Sequence, residues 1–384
     1  MNTLSGAACV AAWSLQALAE NWDITLASAV HPDFGGVDAS FGTRLIDSDI
    51  TVRTLPFPLS YLSLLDPDPF SIQDLAWLMR LTQKISRDYD VAVATVDEFD
   101  FGRTGIQYIH FPYMRIHLST FQRVEGMNRA KRFREMLKGR VRPWLVSSGI
   151  QLSRVRQNRT ITNSHWTASR IREAYQVEAA VLYPPVRWSR AGPEWSLRQP
   201  GFAMIGRISP DKRPIEIIDI LQRVRARGHA IHLDIVGSED AVAGKPFVRK
   251  VRERAAAAGD WVRLHVGVNR DELETIVSNC RYGIHGLHDE HFGIGVGELV
   301  RAGCVVFVPD SGGQVEIVGR EPNLCYSSDD DAVERICRVL SDPAEQSRLS
   351  AVLEEQAGLF TEEHFMQGMR KLVEDFAARR PQPQ

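Results

Sequence analysis

The sequence predicts an α/β fold of two doubly wound halves, each a mostly parallel sheet covered by helices on both faces. Three observations carry this. Apolar runs of strand length alternate with amphipathic stretches of helical period through both halves of the chain. Residues 187–200 (RWSRAGPEWSLRQP) interrupt the alternation with two Pro, one Gly, two Trp and no period, as a linker would. The length, 384 residues, suits two domains of about 150 residues or somewhat more.

Residues 7–20 (AACVAAWSLQALAE) space apolar side chains three and four apart and predict a helix; residues 22–28 follow as a strand. Residues 71–87 set Ile72, Leu75, Leu78, Leu81 and Ile85 on one helical face. Residues 90–95 (DVAVAT) predict a buried strand and 105–110 another. In the second half, 202–205, 232–236, 262–266, 282–286 and 305–308 predict strands, with helices near 214–228, 271–279, 295–302, 331–341 and 343–358. Residues 361–380 predict a last amphipathic helix. The expected domains are therefore 1–190 and 197–362, with a helix over 363–380 packing back on the first.

Composition narrows the class. Hydrophobic residues make up 44% and charged residues 24%, which excludes collagen, long disorder and coiled coil. The net charge of -2 excludes a generally basic, nucleic-acid-binding chain. Five Cys (Cys9, Cys280, Cys304, Cys325, Cys337) are scattered with no C-x-x-C pair, so buried reduced thiols are expected rather than a zinc site or redox dithiol. No apolar run reaches about 18 residues, so no membrane-spanning helix is expected. No Lys or Arg precedes Arg44, unlike the basic leader of a signal peptide.

Three stretches of the second half carry chemistry. The strand at 202–205 runs into Gly206-Arg207-Ile208-Ser209-Pro210-Asp211-Lys212. Ligands of doubly wound sheets sit beyond the carboxyl ends of strands. Arg207 offers a planar fork and Lys212 a compact charge, and both suit one diphosphate across a tight turn. The pair reads equally as surface charge. Next comes Asp289-Glu290-His291-Phe292-Gly293-Ile294-Gly295-Val296-Gly297-Glu298. Seven residues separate Glu290 from Glu298, about two helical turns, which would set both carboxylates at one mouth of the sheet. The N–H groups of Phe292, Gly293 and Ile294 at a helix start suit a phosphate, and carboxylates beside it suit sugar or ribose hydroxyls. Either glutamate alone also reads as a solvated acid. The third stretch is Asp310-Ser311-Gly312-Gly313-Gln314-Val315-Glu316.

In this order and spacing, the three stretches resemble the retaining GT-B-fold glycosyltransferases of family 4. The resemblance covers most of the chain and is best over residues 163–340. It implies two Rossmann-like domains facing across a cleft. It implies that Arg207 and Lys212, with Gly206, hold the donor diphosphate. Glu290 would contact the donor sugar, with Phe292, Gly293 and Ile294 around it, and Glu298 the ribose. Gly237, Ser238, Val268 and Asn269 would flank the base.

The same resemblance makes Ser5-Gly6-Ala7 a glycine-rich donor loop and His110, in Tyr108-Ile109-His110-Phe111-Pro112, a catalytic histidine beside Glu290, Arg207 and Lys212. His110 alone reads more simply as a structural residue. In the family a first strand precedes the glycine loop, whereas this sequence reads Met1-Asn2-Thr3-Leu4 there. One strand of the first domain is therefore expected to be missing. Asn163-Ser164-His165-Trp166-Thr167 and Tyr183-Pro184-Pro185-Val186 add a likeness to the α-1,2-mannosyltransferases that extend lipid-linked oligosaccharides with GDP-mannose.

The implied reaction moves a sugar from GDP-mannose or a UDP-sugar to a hydroxyl acceptor, a glycan or lipid-linked glycan, with retention. The leaving phosphate itself would deprotonate the acceptor. No metal and no other cofactor is expected, and Asp66-Pro67-Asp68 reads as a turn. Two alternatives are a nucleotide-sugar epimerase on the same fold and a degenerate nucleotide-sugar-binding protein without activity.

The near-neutral total hides a patch. Residues 115–160 hold twelve basic and two acidic residues, a net of +10, against -12 for the rest. Ala130, Phe133, Leu137 and Val141 recur three and four apart among Arg129, Lys131, Arg132, Arg134, Lys138 and Arg140. This predicts a basic amphipathic helix that meets an anionic membrane surface, holds an anionic acceptor, or packs on its own domain. No aromatic platform accompanies it, so nucleic acid is not expected as a partner. The expected location is cytoplasmic, peripheral on the inner face of the membrane.

Overall fold

The computed structural model describes residues 5–57, 59, 72–113, 150–240 and 244–379. The chain divides into two units, Met1–Pro185 with Phe365–Gln384, and Val186–His364.

The first unit opens with α1 (Gly6–Ala19), capped by Ser5, whose hydroxyl accepts the Ala8 N–H at 3.2 Å. There follow β1 (Ile24–Ser28), α2 (Phe34–Phe41), β2 (Ile50–Thr54), α3 (Ile72–Ile85), β3 (Val93–Ala94) and β4 (Ile106–Ile109). Then come α4 (Leu152–Gln157), β5 (Arg159–Thr162), α5 (His165–Tyr175) and β6 (Ala180–Val181). The strands form two parallel sheets, β1-β2 and β3-β4-β5-β6. The strand expected over 90–95 pairs only at Val93 and Ala94. The chain turns out of the sheet at Asp97, in the left-handed region at φ 68°, where its carboxylate accepts the N–H groups of His110 and Phe111 at 2.6 and 3.1 Å.

The second unit runs β7 (Gln199–Ile205), α6 (Pro214–Ala226), β8 (His232–Gly237), α7 (Gly244–Ala258), β9 (Val262–Val266), α8 (Arg270–Ser278) and β10 (Cys280–Ile284). It continues through α9 (Ile294–Arg301), β11 (Val305–Pro309), α10 (Gln314–Ile317), β12 (Cys325–Tyr326), α11 (Asp329–Leu340) and α12 (Pro343–Ala357). The sheet is parallel, in the order β12-β11-β10-β7-β8-β9. β11 (VVFVP) reads as an unbroken apolar run, and every residue of it is buried, as expected of a strand with helices on both faces. Winding reverses between β7 and β10, and such a switch point leaves a crevice at the carboxyl ends of both strands.

Residues 187–200 do not behave as a free linker. Trp188 is buried, Ser189 Oγ donates to Glu274 at 2.8 Å, and Arg198 donates to the Ala302 carbonyl at 2.7 Å. These anchors hold the segment on the second unit, so the boundary falls at Pro185/Val186 instead of in the 190s. The last helix, α13 (Glu362–Ala378), carries Phe365, Met369 and Val373 four apart, and these pack with Cys9, Val10 and Trp13 of α1 in the first unit's core. The basic stretch with Arg129, Lys131, Arg132, Phe133, Arg134 and Lys138 lies outside the described residues. Among the described residues no helix is long and apolar enough to cross a membrane.

Candidate active site

The second unit's switch point is built by two loops, one after β7 and one after β10. β7 passes into Gly206, at φ 148°, and the turn stays zipped to β8: Gly206 N–H donates to the Val236 carbonyl at 3.1 Å and Ile208 N–H to that of Ser238 at 2.9 Å. A Cβ on Gly237 would lie 1.8 Å from the Gly206 oxygen, so only glycine allows this approach. A 3-10 turn over Pro210–Lys212 then aims Lys212 back at the sheet, before Arg213, left-handed at φ 56°, opens α6.

After β10, His285 is buried and Glu290 sits in the loop ahead of α9, which begins at Ile294 with Gly293 (φ 104°) as its N-cap. The helical-spacing argument for Glu290 and Glu298 therefore fails: only Glu298 is on the helix. The stretch 310–314 braces this loop. Gly313 N–H donates to the Glu290 carbonyl at 2.7 Å, Asp289 N–H to Ser311 Oγ at 3.0 Å, and Gln314 Nε2 to the Leu287 carbonyl at 2.8 Å. Gly312, at φ 86°, lies so close that an added Cβ would be 2.5 Å from the Glu290 oxygen.

These two loops bring Lys212 and Glu290 together as an ion pair, their side chains only 13% and 17% exposed. His285 Nε2 lies 3.3 Å from Glu290 Oε2, off the hydrogen-bonding direction. Burial works against the Glu290 charge, yet the Lys212 ammonium holds its carboxyl well below the ordinary range. Burial pulls His285 down in turn, so the ring is neutral near pH 7.

Arg207 pairs with Asp240, a buried acid absent from the sequence reading, and its side chain stays 58% exposed. Glu298 pairs with Arg270, which also bonds Glu274 at 2.8 Å and lies over the Trp188 ring, 5.4 Å from its centroid. Burial pushes the Glu298 carboxyl up, against the pull of Arg270. Of the other expected contacts, Phe292 is buried with its ring 5.7 Å from that of Phe360. The Asn269 side chain is committed to the α8 capping box with Glu272; Ser238 is exposed and Val268 partly so.

In the first unit, Gly6 is the first residue of α1. His110 places Nε2 3.1 Å from the Thr95 carbonyl; a carbonyl only accepts, so Nε2 carries the proton. Burial pulls this ring down to about 4. Burial also pushes the Asp97 carboxyl, which holds the His110 backbone, up to about 7.

Among the described residues one group has metal-ligand spacing, His232, Asp234 and Cys280 at the amino ends of β8 and β10, opposite the switch point. Arg263 and His265 already contact that Asp234 carboxylate at 2.6 and 2.8 Å.

Residues 189–356 match the family model described as glycosyl transferases group 1, and the chain carries this domain within its second unit. Two curated relatives are GDP-Man:Man(3)GlcNAc(2)-PP-Dol alpha-1,2-mannosyltransferases. That of Dictyostelium discoideum is 23% identical over 56% of this chain and 46% of its own length. That of Homo sapiens is 26% identical over 48% and 42%. The matches thus span less than half of each relative. Among solved structures, Anabaena HepE in complex with UDP and glucose has a TM-score of 0.66 at 14% identity, covering 98% of this chain and 97% of its own. Sucrose-phosphate synthase from Thermosynechococcus elongatus has a TM-score of 0.62 at 16% identity, covering 96% and 92%. The fold is GT-B.

Proposed function

We propose that this chain, with its glycosyl transferases group 1 domain on a GT-B fold, transfers a hexose from a nucleoside diphosphate sugar to a hydroxyl acceptor. The observation that carries the reading is the buried Lys212–Glu290 pair at the switch point of the second unit. A lysine alone there would attract any anion. A lysine matched to a carboxylate suits a ligand with both a diphosphate and neutral hydroxyls.

The chemistry follows from charge. As the bond from the anomeric carbon to the diphosphate breaks, negative charge builds on the leaving group and the sugar becomes oxocarbenium-like. Lys212, Arg207 and the N–H groups at the start of α9 meet the first charge. The Glu290 carboxylate, held ionised by its neighbours, accepts sugar hydroxyl hydrogen bonds and favours the positive ring. Glu298 takes the ribose hydroxyls. In this reading transfer proceeds with retention, the leaving phosphate taking the acceptor's proton. His110, in the first unit, is neutral with Nε2–H engaged and keeps Nδ1 as an acceptor.

Mannose from GDP-mannose and a lipid-linked glycan acceptor are the first substrates to try, supported by the likeness to the Dictyostelium and human enzymes. A UDP-sugar is the second donor, since Anabaena HepE is solved with UDP and glucose. Peripheral attachment to an anionic membrane through residues 129–140 belongs to the same reading. The test is product analysis: the purified chain is incubated with GDP-mannose or UDP-glucose, with and without a lipid-linked oligosaccharide. Acceptor-dependent transfer with retained configuration supports the proposal. An isomerised nucleotide sugar formed without acceptor would mean an epimerase.

A further inference from the structure

At the end of the second unit's sheet away from the switch point, a buried carboxylate gathers four side chains. His232 and Asp234, two apart on β8, share a face, and so do Arg263 and His265 on the adjoining β9. Asp234 Oδ2 lies 3.3 Å from His232 Nε2 and 3.8 Å from the Sγ of Cys280, the first residue of β10. It also lies 2.6 Å from Arg263, and Oδ1 lies 2.8 Å from His265 Nε2. Asp234 and Cys280 are both buried.

β7 separates β8 from β10, and the cluster closes across it because position 201 is glycine. Gly201 pairs with His232, and a Cβ on it would stand 2.0 Å from His232 Nε2. The imidazole therefore lies directly on the β7 backbone. Glycine inside a strand costs stability and marks a close approach of this kind. Imidazole, thiol and carboxylate atoms within 4.8 Å of one another are the donor types of a zinc site. A zinc ion bonded at about 2.0–2.3 Å keeps its ligands about 3.5 Å apart. The His232–Asp234 and Cys280–Asp234 separations already match that spacing. Arg263, the present counter-charge of Asp234, is 47% exposed and can turn out to solvent. A plain ion pair needs neither a thiol facing the carboxylate nor an imidazole laid on a glycine.

We infer that His232 Nε2, Asp234 Oδ2 and Cys280 Sγ form a zinc site that ties β8 to β10 across β7, with the fourth position taken by water. On binding, Zn²⁺ replaces Arg263 at Oδ2 and the Cys280 thiol proton leaves to solvent. His232 binds through an unprotonated Nε2, its ring proton resting on Nδ1. One carboxylate and one thiolate then balance the two charges of the ion, so the buried cluster is neutral. His265 keeps its bond to Oδ1 and so orients the carboxylate. The site lies at the opposite end of the strands from Lys212 and Glu290. It braces the second unit and stands apart from the proposed reaction.

The probe is Co²⁺, whose thiolate complexes absorb in the near ultraviolet. It is titrated into the full chain, stripped with EDTA and kept reduced, and Zn²⁺ is then added as competitor. A single equivalent should bind with a thiolate band that Zn²⁺ abolishes, and Zn²⁺ should raise the melting temperature. Cys280→Ser should lose the band. Cys304→Ser should keep it, although Cys304 Sγ lies only 3.4 Å from the Cys280 carbonyl. His232→Gln, at the partly exposed rim, should keep the band and weaken Co²⁺ binding by about tenfold or more. Arg263→Gln should tighten binding by removing the competing cation. Should Cys280→Ser not fold, His232→Gln decides by the same titration. Three results overturn the inference: no saturable Co²⁺ spectrum in the parent; a thiolate band that survives in Cys280→Ser; or Co²⁺ affinity unchanged in His232→Gln.

Discussion

Lys212 and Glu290, 78 positions apart in sequence, meet as a largely buried ion pair between the loops that follow β7 and β10. Removing one partner of such a pair strands the other charge, which costs more than the pair itself contributes. Glu290→Ala should lose about 3 kcal/mol in urea unfolding and all measurable sugar transfer. The double variant Lys212→Met/Glu290→Leu should recover most of that stability and none of the activity. Recovery of both would reduce the pair to a structural role.

Gly312 is the position where the brace around Glu290 is least tolerant. Its φ is 86°, and an added Cβ would stand 2.5 Å from the Glu290 oxygen. Gly312→Ala should lower the melting temperature by several degrees, at about 4 °C or less per kcal/mol for a chain of this size. It should also lower kcat/KM by displacing Glu290, with no charge altered. Unchanged kcat/KM would mean the loop positions nothing.

Arg207 and Lys212 should not contribute equally. Arg207 is 58% exposed and partly neutralised by Asp240, whereas the Lys212 side chain is 13% exposed. Arg207→Ala should weaken nucleoside diphosphate binding by less than Lys212→Met does, and its effect should shrink more with added salt. Calorimetry at two ionic strengths reads both.

Asp97 and His110 set opposing pH dependences. Between pH 3.8 and about 7 the folded chain keeps the Asp97 proton that the unfolded chain releases, so this contribution to stability is lost as pH rises. Between about 4 and 6.5 the unfolded chain charges His110 while the folded chain keeps it neutral, so that contribution is lost as pH falls. The two offset each other over most of the window. Asp97→Asn removes the first and should leave stability climbing from pH 4 to 6.5. The limit is about 1.4 kcal/mol per pH unit, approached from below because His110 keeps some exposure. Urea unfolding across that range would contradict the account if the variant's profile were as flat as the parent's.

The sequence was most informative where periodicity and local chemistry coincide. The 3.6-residue period placed α1, α3 and the helices after β10, and the glycine turn and DEHFG stretch led to Lys212 and Glu290. It was blind to partners brought in by the fold: Asp240, Arg270, His285 and Asp97 lie 33, 28, 5 and 13 positions from Arg207, Glu298, Glu290 and His110. Only tertiary packing pairs them. It also missed α7, whose buried stripe is only Val248, Val251 and Ala255 among many charges. The two-turn spacing of Glu290 and Glu298 misled because Gly293, left-handed, ends the loop midway between them.

The central claim, that Lys212 and Glu290 form the donor site, is tested most directly by calorimetric titration of the parent and of Lys212→Met with GDP-mannose and UDP-glucose. The account predicts that at least one donor binds the parent and that Lys212→Met, folded by circular dichroism, binds it tenfold or more weakly, about 1.4 kcal/mol. Equal affinity in the two proteins, or no binding of either donor to the parent, would contradict it.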